Sequence, residues 1–257
     1  MNRALMLFAV VLSAGAASAN VAAPPPPAIL GAPAAQTTSP IVVLGEKLRI
    51  VCADTGIASS CSFTAEYQLH NPTSASLDQI AGFVGVNTSV DRAALDEQEL
   101  ASDLTEDETR QVLVASKMDN WSANVPRGFH VRLGAGERRT LKLAGTLLLQ
   151  SQTPAGYTTI AGYARHLAFG DPDARDVYFA LWYLIAPIHT WGGDPLVDIE
   201  LRVPSRWDVR VEGLLAAEPG TYRSNARASA TADRIEMRAR RPSDRLALGG
   251  VLLGIGG

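Results

Sequence analysis

The chain has 257 residues, 47% of them hydrophobic, 19% charged and 6% aromatic, with a formal net charge of -3. Disordered chains are poorer in apolar residues and membrane bundles carry several long apolar runs, so both classes are excluded for its bulk. The near-neutral balance lacks the basic excess of a nucleic-acid-binding domain, and the length suffices for one large β domain or two of ordinary size.

Arg3 precedes an apolar run from Ala4 to Leu12, and Ala17-Ser18-Ala19 supplies the small-x-small pattern that a signal peptidase reads. Residues 1–19 therefore read as a secretory signal; the run falls short of the roughly 20 apolar residues that cross a bilayer. The mature chain is expected in the periplasm or outside the cell, with no transmembrane segment. Residues 20–40 contain Pro24-Pro25-Pro26-Pro27 and many alanines, a composition that favours extended polyproline conformations and predicts a tether.

The two cysteines, Cys52 and Cys61, would then share an oxidising compartment. Folding the chain about the middle of 53–60 places Cys52 opposite Cys61, Ile50 opposite Phe63 and Leu48 opposite Ala65 on one face of an antiparallel ribbon. Val51 with Ser62, Arg49 with Thr64 and Lys47 with Glu66 fall on the other, mostly polar face. A slip of one residue would put Lys47 and Arg49 in the core, so this register is strongly specified and predicts a Cys52–Cys61 disulfide.

The second strand runs on to His70 and stops at Asn71-Pro72-Thr73-Ser74; a third is predicted over 77–86. Downstream, Phe129 to Leu133, a turn over Gly134–Glu137, and Arg139 to Leu149 read as a second hairpin. The run Tyr67-Gln68-Leu69-His70-Asn71-Pro72-Thr73, with Leu133-Gly134-Ala135-Gly136-Glu137-Arg138-Arg139-Thr140-Leu141 after it, resembles secreted immunoglobulin-like β-sandwich domains. In those, one strand ends in an Asn turn and a later one follows an L-x-x-G-E-x-x-T-L corner. The resemblance covers about half of the mature chain, implies a mainly β, antiparallel immunoglobulin-like sandwich and carries no catalytic residue; the β-sandwich region is expected over 41–257. Two β subdomains, 41–150 and 151–257, are the alternative division.

Between Asp91 and Glu108 lie eight acidic residues and one basic, Arg92. Thr105 with Glu108 forms a capping-box signature, so 88–120 is expected as an insertion of one or two short helices. The segment Asp176 to Pro187 is the most apolar and aromatic of the mature chain and predicts a central strand; further strands are expected over 196–203, 207–211 and 246–257.

Signatures of catalysis fail: G-x-S-x-G, H-E-x-x-H and a P-loop are missing, and His70, His130, His166 and His189 are widely spaced. Two constellations remain. Asp171, Asp173 and Asp176 could supply oxygen ligands to Ca2+, though Asp-Pro-Asp is equally a turn. Tyr178, Trp182, Tyr183 and Trp191 could form an aromatic platform for ligand, or be core. The expected function is an exported, non-enzymatic structural or binding module of the cell envelope with an unknown protein or glycan partner. The alternative is an exported hydrolase whose carboxylates flank an aromatic cleft.

Overall fold

A computed structural model describes residues 27–54, 59–117, 123–152, 177–230 and 234–241. The expected signal (1–19), the expected calcium ligands Asp171, Asp173 and Asp176, and the expected strand over 246–257 lie outside the described residues. No helix among the described residues is long and apolar enough to cross a membrane.

The hairpin forms as alternation demands. Strands β3 (Val42–Asp54) and β4 (Ser59–His70) pair with Leu48 opposite Ala65, Ile50 opposite Phe63 and Cys52 opposite Cys61, and the two cysteines are bonded. Their inward residues are buried and their outward ones exposed. The Phe63 ring stacks at 5.3 Å on Phe83, which belongs to β5 (Leu77–Val86) in the facing sheet. Such a pair is worth about 0.5–1.5 kcal/mol beyond the area it buries.

The chain is mainly β, in two mixed sheets packed on one core. Sheet II takes β3 and β4 together with β6 (Thr88–Leu95), β7 (Gln98–Glu99), β9 (Arg138–Leu149), β12 (Leu196–Arg202), β14 (Leu215–Glu218) and β15 (Thr221–Arg227). Its order is β14-β15-β12-β3-β4-β9-β6-β7. Sheet I runs β13 (Asp208–Glu212), β16 (Arg234–Arg241), β11 (Val177–Leu184), β1 (Ala28–Gly31), β5, β2 (Ala34–Ala35). Beside that path, β8 (Asn124–Leu133) pairs with β5 and β10 (Ser151–Gln152) with β11.

Several expectations are corrected. The pairing is not antiparallel throughout: β1 runs parallel to β11, and β12 parallel to β3. These pairs weave the two halves of the chain into both sheets, so a division at residue 150 into subdomains does not hold. Nor does the tether extend to residue 40. Ala28, Ile29, Leu30, Ala34 and Ala35 are wholly buried, and β1 fills a slot between β5 and β11. Their small or apolar side chains suit a central position, and Pro27 and Pro33 flank β1 outside the ladder, where a missing N–H does no harm.

Residues 88–95 and 98–99 are strands β6 and β7 rather than helix: β6 pairs with β9 through a bulge between Val90 and Arg92 that keeps Asp91 and Arg92 outward while Val90, Ala93, Ala94 and Leu95 are buried. The helical part is α1 (Glu106–Ala115), capped as expected: Glu108 N–H donates to Thr105 Oγ1 at 3.3 Å, and Thr105 N–H donates to Glu108 Oε2 at 2.8 Å. The expected second hairpin is a corner: β8 pairs with β5 in sheet I while β9 pairs with β4 and β6 in sheet II.

That corner is tied to the one between β4 and β5 by Asn71, which is wholly buried. Its side-chain amide donates to Ala75 O at 2.7 Å and Gly134 O at 2.8 Å, while its N–H donates to Glu137 O at 2.9 Å. The two turns singled out in the sequence thus meet in space and fasten one sheet to the other.

Candidate functional site

The outward face of sheet II carries a lattice of charged side chains whose rows follow from register. Neighbouring strands are about 4.8 Å apart, and same-face residues along a strand are about 6.6 Å apart. One row reads Glu66, Lys47, Asp198, Asn225 across β4, β3, β12 and β15. The next reads Thr64, Arg49, Glu200, Arg223, and Arg202 follows one step further along β12. All of these but Asn225 line an open groove of about 490 Å³. A smaller hollow of about 260 Å³ adjoins it beside Gln68, Asn225, Leu44 and Leu196. The strand is bent there by a bulge between Val43 and Gly45, a device that raises local twist.

The two rows are electrostatically unlike. Glu200 is surrounded: Arg49 Nε lies 3.3 Å away, Arg202 Nε 2.8 Å, and Arg223 donates to Oε2 through both Nε at 3.0 Å and Nη2 at 2.8 Å. Partial burial pushes the Glu200 carboxyl up, but the hydrogen bonds from Arg223 and the close Arg202 guanidinium outweigh it and hold the group below the usual carboxylate range. In the row beside it the side chains of Lys47, Glu66 and Asp198 make no ion pair and no hydrogen bond among the described residues, although they are register neighbours.

Behind the same strand lies a second polar group of the opposite kind. Glu46 faces the core at 2% exposure and accepts a hydrogen bond from the Tyr183 hydroxyl of the facing sheet. The Tyr67 hydroxyl, opposite Glu46 in the ladder, is near enough to favour the charged carboxylate yet outside hydrogen-bond geometry. Glu46 Oε2 and the Tyr67 oxygen are left without partners. Burial pushes the Glu46 carboxyl up to about 7, against the downward pull of the two tyrosines.

The expected aromatic platform is not assembled. Tyr183 and Trp191 are 1% and 3% exposed, and the Trp191 indole N–H donates to Pro33 O at 2.8 Å. Strand alternation sends Trp182 to the other side of β11, where the Arg234 guanidinium lies 4.3 Å over its ring. Tyr178 sits on β11 opposite Arg240. No group of three or more potential metal ligands occurs among the described residues.

Sequence reasoning placed Lys47, Arg49, Thr64 and Glu66 on one face but missed the groove, because Asp198, Glu200 and Arg202 arrive on a parallel strand far along the chain. Glu46 was within reach: carrying the alternation of β3 one step back from Leu48 puts it on the apolar face, opposite Tyr67.

No family model matches the chain, and no curated protein matches it. A "putative nutrient binding protein" of Legionella pneumophila superposes with a TM-score of 0.51 at 7% identity, over 82% of this chain and 71% of that one. Yeast leukotriene A4 hydrolase gives a TM-score of 0.43 at 14% identity over 79% of this chain and 30% of its own. An M1 zinc metallopeptidase of Deinococcus radiodurans gives 0.38 at 11%, over 77% and 42%. The chain spans less than half the length of these last two, and the likeness to the Legionella protein is one of fold alone.

Proposed function

We propose that the chain is an exported, non-enzymatic binding module of the cell envelope whose ligand lies in the outer groove of sheet II. The observation that carries the reading is the row at Lys47, Glu66 and Asp198, whose side chains make no ion pair or hydrogen bond among the described residues, beside a row in which three arginines converge on the single carboxylate of Glu200. Export is supported by the Cys52–Cys61 bond, the chemistry of an oxidising compartment, together with the signal-like residues 1–19. Against the hydrolase alternative stands the packing of Tyr183 and Trp191 into the core, where they offer substrate no shelf.

Two measurements test this. A panel of amino acids, peptides, sugars and phosphates is screened for a rise in thermal midpoint, in the wild type and in a Lys47→Ala, Asp198→Ala double variant. A ligand whose shift disappears in the variant supports the groove; one bound equally by both proteins places the site elsewhere. Chromogenic ester, glycoside and peptide substrates are assayed alongside, and turnover that co-purifies with the folded chain and is lost in a Glu46→Gln variant would overturn the non-enzymatic reading.

A further inference from the structure

Resting on the groove reading, we infer that its ligand is zwitterionic: a short peptide with free amino and carboxyl ends and an apolar first residue. The groove is ordered along its length. Because β3 and β12 run parallel, equivalent positions on the two strands stay abreast. The exposed Leu44 and Leu196 lie at one end, 37% and 43% accessible. The row of Glu66, Lys47 and Asp198 comes next, with two negative charges to one positive inside the groove; Lys142, next to Glu66 in the same row, lies on β9 and is paired with Glu97 at 2.8 Å. Arg49, Glu200 and Arg223 follow, with Arg202 beyond, giving three positive charges to one negative. Apolar, net negative and net positive zones therefore succeed one another in a fixed direction.

A free amino acid does not match this sequence of zones. Its ammonium and carboxylate are separated by a single Cα, whereas the acidic and arginine rows are about 6.6 Å apart. An extended chain advances about 3.3–3.6 Å per residue, so two residues bring their end charges to that separation. In the pose this implies, the first side chain rests on Leu44 and Leu196 and the ammonium meets Asp198 or Glu66. The carboxylate meets donors of Arg49, Arg202 and Arg223 beyond those spent on Glu200. Each guanidinium offers five N–H groups, and Glu200 engages one or two of each. Lys47, between the two acids, has no partner of its own and is placed to receive the intervening peptide carbonyl.

The test is calorimetric titration of the full exported chain with three peptides that share one apolar body: leucylleucine, N-acetyl-leucylleucine and leucylleucinamide. Leucylleucine is expected to bind at least tenfold tighter than either blocked form, since each blocked end removes a charge-assisted hydrogen bond. Asp198→Asn should abolish the preference over the acetylated peptide while leaving the preference over the amide. Arg223→Gln should do the reverse, with Asp198→Glu restoring the first. Thermal midpoints near the wild-type value certify that the variants are folded. Equal binding of all three peptides overturns the zwitterion and leaves the groove reading standing. Preferences that survive both substitutions overturn the inference and the groove together. Failure of all three to bind at millimolar concentration also overturns the inference, and the broader ligand panel then judges the groove separately.

Discussion

Glu46 and Glu200 belong to adjacent strands of one sheet and differ mainly in which face they occupy. Glu46, turned inward, is desolvated and has one donor, so its carboxyl rises to about 7. Glu200, turned outward, is held by three guanidiniums and titrates below its ordinary range. The same residue type is thus a carboxyl biased toward its protonated form on the dry side and a fixed anion on the wet side. Environment sets the chemistry, and alternation along the strand sets the environment.

The inward face is the one on which stability depends. Phe63→Ala, which removes the ring stacked on Phe83, is expected to cost about 3–5 kcal/mol in denaturant unfolding. A cost under 1 kcal/mol would mean the sheets do not rely on that contact.

Glu46 should show the sign of its burial. Below pH 4.5 both folded and unfolded chains hold its proton; from there to about 7 only the unfolded chain releases it, so stability falls as pH rises, then levels off. The full penalty is roughly 3 kcal/mol. Glu46→Gln keeps an acceptor for Tyr183 and offers an N–H to the partnerless Tyr67 oxygen, so the variant is expected to be more stable than wild type above pH 7 and nearly equal to it at pH 4. Unfolding midpoints across pH read this directly, and parallel wild-type and variant profiles would refute it.

Reduction of the Cys52–Cys61 bond, which closes a sequence separation of 9, is expected to cost about 2–3 kcal/mol. Unfolding with and without reductant measures it. The smallest effect belongs to the outward face: Glu200→Gln should change stability by under about 1 kcal/mol at neutral pH. Its pH dependence is opposite in sign to that of Glu46, since a lowered carboxyl contributes stability above its unfolded value that is lost as pH falls through the folded one. A larger loss at Glu200 than at Phe63 would invert the contrast between the faces.

How much of this was legible depended on the range of the pairing. The β3–β4 register could be read residue by residue because a short antiparallel turn leaves alternation as the only unknown, and Lys47 and Arg49 rule out the slipped alternative. The Thr105–Glu108 cap was legible for the same local reason. Ala28–Gly31 was not: four consecutive prolines precede it, and the partners that bury it stand at Leu181 and Val86, whose positions local sequence does not encode. The β8–β9 corner deceived because a turn reads alike whether the strands it joins pair or part. The groove was half legible, with its β3 and β4 side visible in the hairpin and its β12 side hidden by a parallel connection.

The seat of Ala28–Gly31 has a kinetic meaning. Synthesis from the amino end delivers this segment early, while β11, its parallel neighbour, follows about 150 residues later. Until then the segment lacks the parallel partner that completes its slot. A second molecule's copy fits that slot equally well, so crowded refolding should produce interlocked dimers through exchange of amino-terminal arms, whereas dilute refolding should return monomers.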